Sequence, residues 1–179
     1  MRTLKILVVA AAISAFSHGQ TQTPYAGQDK RDIKALSQDD IQAYQNGQGM
    51  GFAKTAELNQ FPGPKHALEL APQLQLTEKQ KAATQIVYDR MHAGATRLGS
   101  LIVEKERKLD LLFASKTIDS NKLRRAVAEI AELQGKLRAI HLQAHLDMRR
   151  LLTPTQIKKY DELRGYDSGN EHKDHQHKH

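Results

Sequence analysis

His141 and His145 stand four residues apart in a stretch with helical periodicity, so both imidazoles fall on one helix face, one turn apart. Neutral imidazole binds borderline metals well, and this spacing suits two ligands of a Zn, Ni, Co or Cu ion. Two donors do not complete a coordination shell. In an antiparallel helical hairpin the 141–145 turn comes near residues 90–94, which offers Met91 as a soft third donor. His66, from the preceding segment, could fold over the same place. His92 projects about 120° from the centre of its helix's apolar stripe and is a poorer candidate. Asp147 points elsewhere. The bland alternative is a pair of amphipathic-helix histidines hydrogen-bonded to their neighbours.

The other imidazoles crowd the C-terminus, at His172, His175, His177 and His179. Four in eight residues can collect a divalent metal, with modest affinity because the peptide must be ordered on binding. The alternative is a solubilising tail that gains charge below about pH 6.5. Nothing else resembles a reactive constellation. There is no GxSxG, P-loop, HExxH or glycine-rich dinucleotide turn, and Ser100 lies in a helical run without a plausible His/Asp pairing. An enzyme is not expected. Cysteine is absent, which excludes disulfides, thiolate zinc sites, iron–sulfur clusters and a lipid-modified cysteine.

The elements that must position these residues are all helical. From Glu78 to about 115, Val87, Met91, Leu98, Ile102, Leu109 and Leu112 form one apolar stripe, on a helix roughly 57 Å long. After a polar break at Thr117–Ser120, with Asp119 as N-cap, a second stripe runs to Leu151 through Leu123, Val127, Ile130, Leu137, Ile140, Ala144 and Met148. Two long helices joined by so short a link pack as an antiparallel hairpin. Lys105 falls inside the first stripe, where it could snorkel or face an acidic group. Ser37 caps a short helix to about Gln45. Phe52–Leu58 suggests another, and Pro72 interrupts the segment from His66 to Leu74. A last helix runs from Pro154 to about Arg164, with Gly165 as its stop. No strand pattern occurs, so the fold class is all-α. A hairpin cannot bury its own stripes completely. The short helices cover part, and a second copy in a cradle-shaped homodimer is expected to cover much of the rest.

The two long helical regions open and close on the same phrase. Leu76-Thr77-Glu78-Lys79-Gln80 and Leu152-Thr153-Pro154-Thr155-Gln156 are both capping boxes. The threonine side chain accepts from the backbone N–H of the glutamine, whose side chain returns a bond to the threonine backbone. Pro154 sits where no N–H is needed, and Leu76 and Leu152 can staple the approaching chain.

The N-terminus reads as a signal peptide. Arg2 and Lys5 precede an apolar run from Ile6 to Phe16, and Ser17 and Gly19 suit cleavage before Gln20. No later segment is apolar enough to span a bilayer, so no membrane insertion is expected. Removing the leader takes two of the 27 basic residues, leaving 25 against 20 acids, a mild +5. Mixed charge, export and the lack of an arginine-rich stripe with aromatics make nucleic acid a poor partner. The expected organisation is a leader over 1–19, a flexible arm over 20–30, a helical domain over 31–166 and a disordered tail over 167–179.

Two LTxxQ boxes bracketing a long helical hairpin behind a signal peptide resemble the Spy/CpxP superfamily of periplasmic stress proteins, over about residues 60–165. That superfamily includes zinc-resistance-associated and nickel/cobalt-sensing proteins. The resemblance implies a periplasmic helical dimer acting as an ATP-independent chaperone, a regulator of an envelope sensor kinase, or a metal sensor. The first expectation is a chaperone that holds unfolded envelope proteins and requires no cofactor. The second is a heavy-metal binding, sensing or resistance protein that uses His141 and His145. Relatives that sense nickel or cobalt draw on an N-terminal HxxxH, which this chain lacks.

Overall fold

The computed structural model describes residues 23–166. The leader, residues 20–22 and the tail with His172, His175, His177 and His179 lie outside the described residues. The chain divides into two units, Met1–Lys30 and Arg31–His179. In the first, residues 23–30 hold hydrogen-bonded turns and a single 3-10 turn, Gln28–Lys30. Among the described residues of the second, every regular element is helical: α1 (Gln38–Gln45), α2 (Lys54–Glu57), α3 (Pro64–Glu69), α4 (Glu78–Ala114), α5 (Ser120–Leu151) and α6 (Pro154–Arg164). No helix among the described residues is long and apolar enough to cross a membrane.

Local chemistry sets these boundaries. Ser37 and Asp40 form a capping box at the start of α1. Asp119 accepts from the N–H groups of Asn121 and Lys122, both at 2.9 Å, and so starts α5 within five residues of the end of α4. Gly165 ends α6 in the left-handed region at φ 72°.

α4 and α5 form the hairpin. Arg90 pairs with Asp147 at 2.5 Å and Lys105 with Glu129 at 2.5 Å, which fixes an antiparallel register. Lys105, placed inside the stripe by its angle, thus meets an acid of the facing helix. α1 and α3 pack on α4, and α2 and α3 also reach α5. Two clusters make up the core. One joins Leu74, Leu76, Val87, Met91, Met148, Leu152, Ile157 and Tyr160. The other joins Ile33, Ile41, Tyr44, Leu98, Ile102 and Leu137. Each aliphatic side chain buried this way contributes about 1.5–3 kcal/mol.

The stripes are not buried along their whole length. Leu109 and Leu112 are half-buried. Leu123 and Val127, assigned to the second stripe by spacing, are exposed, because no short helix among the described residues reaches that part of the hairpin.

Candidate functional site

The two LTxxQ boxes are a single structure. Thr77 N–H donates to Gln80 Oε1 at 3.1 Å, and Gln80 N–H donates to Thr77 Oγ1 at 3.2 Å. Thr153 and Gln156 repeat the exchange at 2.9 and 3.2 Å. Each glutamine amide also donates to the other's side-chain oxygen, at 2.8 and 3.1 Å. Gln80 Nε2 donates further to the Leu151 carbonyl, and Gln156 Nε2 to that of Leu74. A hairpin brings its two ends together, so each box ties off its own helix and the neighbouring chain. Leu76 and Leu152 are buried beside them.

Further along, α2, α3, α5 and α6 converge on one carboxylate. Tyr160, fully buried on α6, donates from Oη to Glu57 Oε1 at 2.5 Å and accepts from the Gly63 N–H at 3.1 Å. Tyr166 Oη lies 3.3 Å from the same oxygen, Arg164 Nε 3.5 Å and His66 Nδ1 3.6 Å. His145 Nδ1 is 3.5 Å from Glu57 Oε2. Burial, followed by the hydrogen bond to Glu57, pushes the Tyr160 hydroxyl far up, so it stays a donor. Glu57 is therefore the latch that holds the short helices against the hairpin.

The latch orients His145. Its Nδ1 lies 2.7 Å from the Phe61 carbonyl oxygen, which can only accept, so the proton is on Nδ1. In the neutral ring Nε2 then carries the free lone pair, as in imidazoles poised to ligate. Gly63 lets the 61–64 turn lie flat on this ring: a Cβ there would stand 3.0 Å from His145 Cε1.

One turn earlier, His141 is 3% exposed and stacks on Phe52 with ring centroids 5.9 Å apart. Its Nε2 is buried without a hydrogen-bond partner. Burial, then the charge of His145, lowers its pKa and keeps the ring neutral. A buried orphan nitrogen of this kind calls for an explanation.

Both rings border a cavity of about 770 Å³ that also meets Met91, His66, His92 and Glu57. The structure thus gathers His141, His145, Met91 and His66 around one space. It also corrects the placement of His92. The Asn46–Gly51 loop wraps over that side of α4, and His92 Nε2 lies 3.1 Å from the Asn46 carbonyl oxygen, with its ring stacked on Tyr88. Asp147 is turned to Arg90. Glu57, Tyr160, Arg164 and Tyr166 escaped the sequence reading. Only Tyr160 had a signal there, three residues after Ile157 on the inner face of α6. Among the described residues no three His, Asp or Glu side chains are arranged so that they could hold a metal ion together.

A family model described as heavy-metal resistance matches residues 3–159. No curated protein and no solved structure gives a significant match.

Proposed function

We propose that this chain, which belongs to the heavy-metal resistance family, binds a heavy-metal cation as its cargo in the cavity beside α5, outside the cytoplasm. The observation that carries the reading is His141: a neutral imidazole, almost wholly buried, with an unpartnered Nε2, one turn from a second imidazole whose tautomer is already set. The donor set fits a borderline cation of the Zn, Ni, Co or Cu kind, and the Met91 thioether tilts it toward the softer end. His66 or His92 would supply a further nitrogen from the opposite wall. The arrangement is open rather than caged, so binding draws the wall inward. The family match favours the metal expectation over the chaperone one.

Each residue has a definite part. His141 gives a nitrogen whose desolvation cost is already met by the fold. His145 is aimed by Phe61 and Glu57. Glu57 holds its carboxylate at the edge of the cavity, where it offsets added positive charge. Protons compete for both rings, so affinity falls with acidity. Because burial holds His141 below the ordinary imidazole value of 6.5, it remains free to bind until the medium is more acid than that.

Calorimetric titration of a chain ending at Tyr166 with Zn, Ni and Cu should find one site per chain, lost in the His141→Ala/His145→Ala variant. Affinity should fall as the medium is acidified, because protons compete for the imidazole nitrogens. Undiminished binding by the double variant, with its fold intact, overturns the proposal. Binding that disappears on removal of His172, His175, His177 and His179 alone assigns the metal to the tail and overturns it too.

A further inference from the structure

A glycine-rich loop, Gly47-Gln48-Gly49-Met50-Gly51, forms one wall of the cavity beside α5. Its root is fixed. The Gln48 N–H donates to the Ala43 carbonyl at 2.9 Å, and a Cβ on Gly47 would stand 2.8 Å from Thr96 Oγ1 on α4. Beyond the root the neighbours stop: a Cβ at Gly49 or Gly51 would meet nothing within 4 Å. Met50, between them, is 40% exposed and holds φ 42°, a left-handed conformation that strains a residue with a side chain. An apolar side chain so exposed gains little from packing, and backbone outliers of this kind gather at ligand clamps.

The three methionines that follow the leader have different surroundings. Met148 is fully buried in the core, whereas Met50 and Met91 both line the cavity, with His141 and His145. The cavity therefore offers two thioethers and two imidazoles, all neutral donors. Its wall carries three cations, Lys54, Lys65 and Arg164, against one carboxylate, Glu57, a formal balance of +2. That carboxylate already accepts from Tyr160 and Tyr166.

We infer that this cavity takes a soft monovalent cation, Cu(I) or Ag(I), and that Met50 moves in from the loop to complete a shell of His141, His145 and Met91. The inference rests on the metal reading above and narrows its cargo. Charge separates the classes. The cost of taking an ion out of water grows with the square of its charge, so at equal radius a divalent ion costs about four times as much to desolvate. Neutral donors under a positive wall offset little of that cost. Zn and Ni would also have to do without the carboxylate or thiolate that their sites commonly include. A monovalent d10 ion is desolvated more easily, prefers thioether sulfur and accepts a small coordination number. Its single charge is balanced by Glu57 alone. No side chain at 49 or 51 opposes an inward movement of Met50, and glycine on each side gives the backbone the freedom to make it.

The test is a silver nitrate titration of the mature chain, residues 20–179, in chloride-free buffer with the methionine methyls labelled with 13C. The Met50 and Met91 methyl resonances should shift together to saturation, while that of Met148 stays in place. Met50→Leu keeps size and polarity. It should weaken silver binding at least about tenfold, and leave zinc affinity and the melting temperature unchanged. Silver affinity unaltered in Met50→Leu overturns the inference. So does a Met50 shift that persists in His141→Ala/His145→Ala, since the thioether would then bind silver alone. Zinc or nickel that displaces silver from the cavity also overturns it, and leaves the metal reading standing. No shift at Met91, His141 or His145 with silver, zinc or nickel overturns both.

Discussion

The two ends of the hairpin have the same pattern of apolar residues and opposite fates. At the capped end, the stripes of α4 and α5 disappear under α1, α3 and α6, and polar groups are drawn in with them: the Gln80–Gln156 pair, the Glu57 latch and His141. At the loop end, the spacing continues through Leu109, Leu112, Leu123 and Val127 with no helix among the described residues over it, and the polar contacts are surface ion pairs such as the half-buried Lys105–Glu129 and the exposed Lys108–Glu104. Pairs of that kind contribute little. Periodicity thus states where an apolar face is, and the covering elements decide whether it becomes core.

The sharpest way to break the contrast is at Gly99. A Cβ on this residue would stand 1.9 Å from the Tyr44 carbonyl oxygen, a backbone atom that cannot swing aside. Gly99→Ala therefore has to lift α1 from α4 and expose Ile41 and Tyr44. We expect a net loss of about 2–3 kcal/mol by chemical denaturation, after allowing for alanine's better helix propensity. An unchanged midpoint would mean that α1 contributes nothing to the capped end.

A smaller effect is expected at the latch. Tyr160→Phe keeps the ring and removes one hydroxyl. The buried Gly63 N–H then loses its acceptor and Glu57 its shortest donor. The cost should be about 2 kcal/mol. The 61–64 turn that aims His145 should loosen, so metal affinity should fall with stability. Stability lost without any change in affinity would separate the latch from the site.

The starts of α1, α4, α5 and α6 were legible because their signals are local: Ser37, Thr77, Asp119 and Thr153 start these helices, and Gly165 ends the last. The nearness of Met91 to His141 followed from the hairpin alone. Glu57 was not legible, since it sits in a four-residue helix and its role comes from partners on α3, α5 and α6. His92 was misplaced for a related reason. A helical wheel ranks a side by its distance from the stripe, and a loop over the polar side turns it inward. Nor could spacing show that Leu123 and Val127 stay bare, because what would cover them lies in other elements.

Gly135 supplies the smallest and most discriminating comparison. Interpolating between the contacts Gly94–Ile140 and Lys105–Glu129 puts residues 99 and 135 at the same level of the hairpin. Both are mid-helix glycines, and the sequence treats them alike. Gly99 lies under α1, whereas a Cβ at Gly135 would meet nothing within 4 Å. Free of any neighbour, Gly135→Ala is governed by backbone entropy alone, so it should stabilise the chain by about 0.8 kcal/mol. The two substitutions together test the contrast within one level of the fold. If both destabilise, an element missing from the described residues covers α5 there, and the boundary between covered and bare hairpin has to move toward the loop. If both stabilise, α1 yields freely, and the capped end owes its order to the latch and the paired glutamines.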